Sequence, residues 1–187
     1  GPPGYRLSGK SILLSGAQGL LGQYFVETIR ECNRTQLKGR PCRIYATDSA
    51  PPVRDSGDGI LYLQHDVRQP VSPLIVPSAD YVVHMAGLAS PVAYKNNPLL
   101  TIEVAVDGSR QLLEFALRHR ARYLFTSTSE VYQTPPPEWI PTPEEYVGAI
   151  PTMGDRSSYD VSKALGETLA YCYAQKEGVN ASVVRLF

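Results

Sequence analysis

A tyrosine and a lysine four residues apart, Tyr159 and Lys163, form the strongest chemical signal in the sequence. On an α-helix, positions i and i+4 share a face, so both side chains would point the same way. The phenol of a free tyrosine has a pKa of about 10, but a neighbouring ammonium favours the phenolate. Tyr159 could then take a proton from a substrate hydroxyl. The pattern is common on helices, and an exposed pair is the alternative interpretation.

A second polar group follows an apolar run at residues 123–127 that is typical of a buried strand. Doubly wound sheets bind ligands at the carboxyl ends of their strands. We predict that Thr128 hydrogen-bonds a reacting hydroxyl near Tyr159 and that Glu130 handles a proton or orders a water. With Ser129 between them, these residues complete the predicted catalytic set. Polar residues that merely terminate a strand are the alternative.

A glycine-rich turn, G-x-x-G-x-x-G at residues 16–22, lies between an apolar run and a helical pattern. Gly16 permits the tight turn, Gly19 removes a side chain where a pyrophosphate would approach, and Gly22 allows close helix packing. The amides at the start of the helix favour a phosphate. The turn therefore predicts a dinucleotide site, with these cofactor-binding residues: Gly16, Gly19, Leu20, Leu21 and Gly22.

An acidic residue, Asp48, ends the second apolar run, where a carboxylate can accept hydrogen bonds from the adenosine ribose. The same charge would repel a 2′-phosphate, and Ser49 and Ala50 follow instead of an arginine. The sequence therefore predicts NAD rather than NADP. A turn residue before Pro51 is the alternative interpretation of Asp48.

Two further strand ends are predicted to contact the cofactor. Asp66 and Val67 follow the third run and could contact adenine, with a turn or helix cap as an equal alternative for Asp66. The fourth run ends in three residues that let a cofactor approach, Met85, Ala86 and Gly87. Tyr159 and Lys163 complete the predicted cofactor-binding set, since an oxidised nicotinamide would also favour the phenolate. We interpret His84 as structural.

Apolar runs recur along the chain with helical patterns between them. The predicted strands are residues 10–15, 43–47, 60–63, 81–85, 123–127 and 181–187, and the predicted helices are residues 20–34, 99–119 and 158–177. Apolar strands joined by helices indicate an α/β fold with a doubly wound parallel sheet, the Rossmann fold. Residues 50–59 and the proline-rich residues 134–156 are predicted to be irregular, and the length of the second stretch favours a functional loop.

The composition excludes several classes of function. The chain has 187 residues, and Lys+Arg and Asp+Glu total 18 each, so the formal net charge is zero. Bulk charge therefore provides no nucleic-acid or membrane surface. No apolar run is long enough to span a membrane, and no signal peptide is recognised. Three widely spaced cysteines fit neither a disulfide framework nor a metal site. We expect a reducing, cytoplasmic setting.

Together these motifs resemble the extended short-chain dehydrogenase/reductases of the NAD-dependent epimerase/dehydratase family, and most of all its UDP-glucuronate decarboxylases (UDP-xylose synthases). The segments that carry the resemblance are residues 84–91 (HMAGLASP) with Tyr94, Asn97 and Pro98, then residues 128–132 (TSEVY) and residues 159–163 (YDVSK). The resemblance implies an NAD cofactor, a nucleotide-sugar substrate, with a UDP-hexuronic acid favoured, and a homodimer. It makes Tyr159 the base for oxidation at C4, after which the β-keto acid loses CO₂ and the ketone is reduced again.

Related activities are separated by the residues after Thr128. The 4,6-dehydratases carry an aspartate next that serves as an acid, and the hydroxyl of Ser129 is too weak an acid for that role. The 4-epimerases usually carry smaller or apolar residues in place of Glu130. Two positions depart from the family pattern, namely Ala105 for an asparagine and Gln133 for a glycine. A 4-epimerase or 4,6-dehydratase, and a non-catalytic NAD-binding module, remain the alternatives.

The predicted domain organisation has two parts: residues 1–9 are a lead-in, and residues 10–187 are the NAD-binding Rossmann domain that carries Tyr159 and Lys163. The resemblance further implies a C-terminal substrate domain, which lies outside this chain. Relatives dimerise through two long helices. The apolar residues that could form that surface, or could equally face their own sheet, are Leu112, Leu113, Ala116, Leu169 and Tyr173.

Overall fold

A computed structural model of the protein describes residues 6–187. Six strands form one parallel sheet: β1 (Ser11–Ser15), β2 (Arg43–Asp48), β3 (Ile60–Gln64), β4 (Tyr81–His84), β5 (Arg122–Thr128) and β6 (Ala181–Leu186). Their order is β3-β2-β1-β4-β5-β6, so the winding reverses between β1 and β4. Ser15 lies opposite Thr47 on one side and His84 on the other, which aligns three carboxyl ends at this point.

Four α-helices cover the sheet: α1 (Leu20–Arg34), α2 (Pro91–Asn96), α3 (Pro98–His119) and α4 (Ser157–Cys172). Alternate residues of β1 enter two different cores. Ile12 and Leu14 pack with residues of α1, whereas Leu13 packs with residues of α3 and α4. Because both faces of the central strands are buried, these strands are mostly apolar, and this pattern made the fold recognisable from the sequence. The edge strand β6 is largely exposed.

The predicted strands and long helices are confirmed, with two differences. The short helix α2 was not predicted, and the last predicted helix changes at Tyr173 into a single π-helical turn, Tyr173–Glu177. The proline-rich stretch is irregular apart from a 3₁₀ turn at Pro137–Trp139. Within residues 6–187, no helix is long and apolar enough to cross a membrane.

Only part of the predicted lead-in lies within the described residues. Positions 1–5 of the predicted lead-in lie outside the described residues, and Gly9 donates its backbone N–H to the carbonyl of Arg40.

On the long helices, Leu112, Leu113 and Ala116 are buried against their own sheet, and Leu169 and Tyr173 pack partly on the same core. These residues therefore face their own sheet, which was the second of the two interpretations.

Candidate active site

A cleft opens at the carboxyl ends of the strands, where the winding reverses. Most of the predicted cofactor-binding residues line it: Gly16, Gly19, Asp48, Asp66, Val67, Met85, Ala86 and Gly87. The lining also includes residues that the sequence analysis did not select: Ser15, Gln18, Thr47, Ser49, Ala50, His65, Leu88 and Val104. Leu20, Leu21 and Gly22 lie beside the cleft at the start of α1.

The glycine turn leaves no room for side chains. Gly16 has φ +76°, and a Cβ atom there would lie 2.6 Å from the backbone nitrogen of Ala86. A Cβ at Gly22 would lie 2.1 Å from the carbonyl oxygen of Gly16, so Gly22 lets α1 pack on the turn itself. Gly19 caps α1 without a side-chain hydrogen bond, which leaves the first amides of the helix free. These features fit the pyrophosphate of a dinucleotide.

Asp48 lies at the edge of the cleft with both oxygens fixed by backbone donors. Its Oδ2 accepts the N–H of Gln18 at 2.9 Å, and its Oδ1 accepts the N–H of Ala50 at 3.2 Å. A carboxylate oxygen has two lone pairs, so each can accept one more hydrogen bond. Asp48 therefore lines the cleft and also forms a turn contact with Ala50, and its role in holding ribose hydroxyls stays a prediction.

Both alternatives for Asp66 are represented in the structure. Asp66 lines the cleft, and its Oδ1 also accepts the backbone N–H of Arg68 at 3.0 Å, as a turn cap does. The guanidinium of Arg68 contacts both oxygens and lowers the pKa of Asp66. Arg68 in turn pairs with Glu103 of α3, so an ion-pair network fixes this end of the cleft.

His84 is a buried structural residue, as the sequence predicted. Its Nδ1 lies 2.8 Å from the hydroxyl of Ser15, and its ring is fully buried between β4 and its neighbours. Burial, and to a smaller extent the nearby Lys163 ammonium, together lower the pKa of His84 to about 3. The imidazole is therefore neutral at physiological pH.

Lys163 connects α4 to the cleft. Its side chain is 5% exposed, and its Nζ donates to the carbonyl oxygen of Thr126 at 2.7 Å. A Cβ at Gly87 would lie 3.4 Å from the same Nζ, so the ammonium adjoins the cleft lining. Burial lowers the pKa of Lys163 to about 8. Tyr159 shares this face of α4, with its ring centre 6.0 Å from Nζ.

These positions can be compared with those of known proteins. The chain matches the NAD dependent epimerase/dehydratase family over residues 12–187. The chain belongs to this family. NAD is its cofactor, which confirms the sequence-based prediction. No group of histidine, cysteine or acidic side chains that could hold a metal ion is found among the residues described.

Relatives within the family are similar in sequence over most of the chain. It is 34% identical over 182 residues to UDP-glucuronic acid decarboxylase 5 of Arabidopsis thaliana and 41% identical over 183 residues to UDP-glucuronic acid decarboxylase 1 of Xenopus tropicalis. The alignments cover 96% and 95% of this chain but only 51% and 41% of the two relatives. The chain thus spans about half the length of the curated relatives it matches.

Solved structures of related enzymes confirm the fold. The UDP-glucose 4-epimerase of Thermotoga maritima, solved with UDP-glucose, superposes with a TM-score of 0.75 at 21% identity. The L-threonine dehydrogenase of Phytophthora infestans superposes with a TM-score of 0.74 at 26% identity. Each match covers 94% of this chain and 54% and 53% of the other chain, respectively. The predicted Rossmann fold is therefore the fold of this family member.

Burial and neighbouring side chains together determine the pKa of Tyr159. Burial raises the pKa of Tyr159 above its ordinary value, a hydrogen bond with the Thr128 hydroxyl lowers it, and the carboxylates of Glu130 and Asp160 raise it. The ammonium of Lys163, 6.0 Å from the ring centre, is not among the main influences on this pKa. That Lys163 and a bound oxidised nicotinamide together favour the phenolate stays a prediction.

The predicted catalytic residues after β5 lie in a 3₁₀ turn, Ser129–Tyr132. The hydroxyl of Thr128 accepts the N–H of Glu130 at 3.2 Å and so caps this turn beside Tyr159. Glu130 is oriented by an ion pair of 2.7 Å with Arg156 at the start of α4. Ser129 is half-buried at the first position of the turn. The structure therefore brings Thr128 and Glu130 to the phenol.

Sequence reasoning missed a group of residues that packs around Tyr159. Tyr94 of α2 is buried and stacks on the ring of Tyr159, with centroids 5.0 Å apart and planes at 15°. The guanidinium of Arg156 lies over the ring of Tyr94, 6.0 Å from the ring centroid. Tyr94 stood in a motif that carried the family resemblance, which was the available signal. Arg156 is three residues before Tyr159, on the same helical face.

Gln133, the residue that departs from the family glycine, has a backbone conformation that glycine would adopt freely. Its φ is +56°, and its amide nitrogen donates to the carbonyl of Glu130 at 2.6 Å and to Oδ2 of Asp160 at 3.3 Å. Burial raises the pKa of Asp160, and this hydrogen bond and Arg156 lower it. The side-chain bonds of Gln133 compensate for the strain and connect the 3₁₀ turn to α4.

Proposed function

We propose that this chain is the NAD-binding, catalytic half of a UDP-glucuronate decarboxylase. One observation carries the proposal: the hydroxyl of Thr128 lies close enough to the Tyr159 phenol to lower its pKa, while Lys163, on the same helical face, adjoins Gly87 of the dinucleotide cleft. A hydroxyl that binds between Thr128 and Tyr159 would therefore lie next to the cofactor. The names of the similar relatives support the choice of a decarboxylase over other reactions of the family.

The first step is oxidation of a secondary alcohol on the sugar. Tyr159 accepts the proton of the C4 hydroxyl, and the hydroxyl of Thr128 holds the same oxygen in place. Bound NAD supplies a positive nicotinamide ring that favours the phenolate and accepts the hydride from C4. The buried ammonium of Lys163 is positioned on the side of the site where the cofactor would bind. The ketone at C4 is then β to the carboxylate at C5.

The second step needs no strong acid from the protein. As the bond from C5 to the carboxylate breaks, CO₂ leaves and its electron pair moves into the C4 ketone to form an enolate. A proton returns to C5, and the C4 ketone would be reduced by return of the hydride from the reduced cofactor to C4 and of the proton from Tyr159 to the oxygen. Ser129 is compatible with this chemistry because no hydroxyl has to be protonated on departure. Glu130, oriented by Arg156, is the group we propose to order a water or carry the proton.

The reaction product tests the proposal. The full-length protein is incubated with UDP-glucuronate and NAD, and the nucleotide sugar is identified by NMR while CO₂ is measured. We expect one CO₂ for each UDP-xylose formed and no net accumulation of NADH, because the hydride is returned. A C4 epimer from a UDP-hexose, or a 4-keto-6-deoxy sugar, would instead assign the chain to a 4-epimerase or 4,6-dehydratase.

One feature favours another function and defines its control. Ala105 in place of an asparagine favours a module that binds NAD without turnover. NAD binding without any product from the full-length protein would support that module.

A homodimer is also part of the proposal. Exposed apolar residues on the long helices, Leu99, Ile102 and Leu165, could form its surface, and the molar mass in solution measures it. All three cysteines are free, which supports a reducing cytoplasmic location.

A further inference from the structure

A glutamine inside the glycine turn makes contacts that a dinucleotide turn does not require. The side-chain nitrogen of Gln18 donates to the carbonyl oxygens of Ala50 at 3.2 Å and Pro51 at 3.0 Å. Its side-chain oxygen accepts the backbone N–H of Val53 at 2.9 Å. One carboxamide therefore binds three backbone groups of the segment that follows β2. We call residues 49–54 the ribose loop, because it follows Asp48.

The backbone N–H of Gln18 also helps to fix the carboxylate of Asp48. The backbone N–H of Gln18 and that of Ala50, in the ribose loop, donate to the two oxygens of Asp48. Gln18, Asp48, Ser49 and Ala50 all line the cleft. A substituent on the 2′-oxygen of the adenosine ribose would project beside Asp48, among these residues.

The ribose loop contains one cation, Arg54, and the structure holds it away from the cleft lining. Its guanidinium pairs with Glu27 of α1 at 2.7 Å and donates to the side-chain oxygen of Gln23 at 2.9 Å. Gln23 in turn donates to the carbonyl oxygen of Gln18 at 2.7 Å. Both Arg54 and Glu27 are partly exposed, so this ion pair alone is weak. The fixed ribose loop is what keeps Arg54 over α1.

We propose that Gln18 determines cofactor specificity. Its side-chain hydrogen bonds hold the ribose loop against the glycine turn. A 2′-phosphate then meets the Asp48 carboxylate, and the Arg54 guanidinium stays out of its reach. Guanidinium groups bind phosphate best through paired hydrogen bonds, so release of Arg54 would favour NADP. The inference rests on NAD binding in this cleft and deepens the account of which dinucleotide the cleft accepts.

The test compares the dissociation constants of NAD and NADP for this chain by isothermal titration calorimetry. Gln18→Met keeps the length of the side chain and removes all three hydrogen bonds. We expect it to narrow the preference for NAD by about tenfold, the size of one charge-assisted hydrogen bond to a phosphate. In the double variant Gln18→Met/Arg54→Ala, the affinity for NADP should fall back to that of the unmodified protein.

The matched control is Gln36→Met, an exposed glutamine in the turn after α1, which should leave both constants unchanged. A purely structural role of Gln18 would weaken both dinucleotides by the same factor, and that result overturns the proposal. A narrowed preference that persists without Arg54 overturns it as well. If the unmodified protein binds neither dinucleotide, the cleft assignment fails together with this inference.

Discussion

Replacement of Tyr159 with phenylalanine is expected to lower kcat of the full-length protein by about a thousandfold or more. Phenylalanine keeps the ring that stacks on Tyr94 and loses only the phenolic oxygen, which lies near Thr128. The fold and the cleft should therefore be intact, and the dissociation constant of NAD should change by less than about threefold. Steady-state kinetics and calorimetry measure the two effects separately.

A tyrosine on the same helix provides the control for this variant. Tyr171 is 65% exposed on α4, and Tyr171→Phe should leave both turnover and NAD binding unchanged. Turnover that survives in Tyr159→Phe would remove this residue as the base. A parallel loss of NAD affinity would mean that its main role is to shape the cleft.

Replacement of Lys163 with methionine is expected to stabilise the fold near neutral pH and to abolish turnover. Burial lowers the pKa of Lys163 from its ordinary 10.5 to about 8. Below about pH 8 both the folded and unfolded states hold the proton, and the buried ammonium destabilises the fold in full. Between pH 8 and 10.5 only the unfolded chain holds it, so the stability of the unmodified protein rises by about 3 kcal/mol.

Urea unfolding between pH 7 and 10.5 measures this difference. The methionine variant should be more stable at pH 7, and its advantage should shrink as the pH rises through 8 toward 10.5. Lys176→Met removes an exposed lysine and should follow the unmodified protein at every pH. Parallel stability profiles for Lys163→Met and the unmodified protein would mean that the ammonium is not destabilised by burial.

The order of strands and long helices along the chain could be predicted because the central strands are almost wholly buried and are therefore mostly apolar. Helix α2 could not, since its six residues are too few to show a helical period and it begins at a proline. The π-helical turn after α4 also leaves no signal, because the sequence pattern continues through it. Local pattern was sufficient for the sheet and insufficient for short or irregular turns.

The candidate site divides in the same way. Glycine spacing and strand-end residues identified half of the cleft lining, because these features are local in sequence. The bonds of Gln18 to the ribose loop join positions more than thirty residues apart, and they become visible only when β1 and β2 are paired. The lowered pKa of Lys163 and the raised pKa of Tyr159 follow from burial, which is a property of the whole fold.

The most direct test of the account is the ionisation of Tyr159 in the presence of each form of the cofactor. The protein is labelled with ¹³C at the tyrosine Cζ position, and the Tyr159 signal is assigned by its loss in Tyr159→Phe. We expect its pKa to lie above the ordinary value in the protein alone and to fall when NAD is added, but not when NADH is added. An identical pKa with NAD and NADH would contradict the claim that the docked dinucleotide makes this phenol the base.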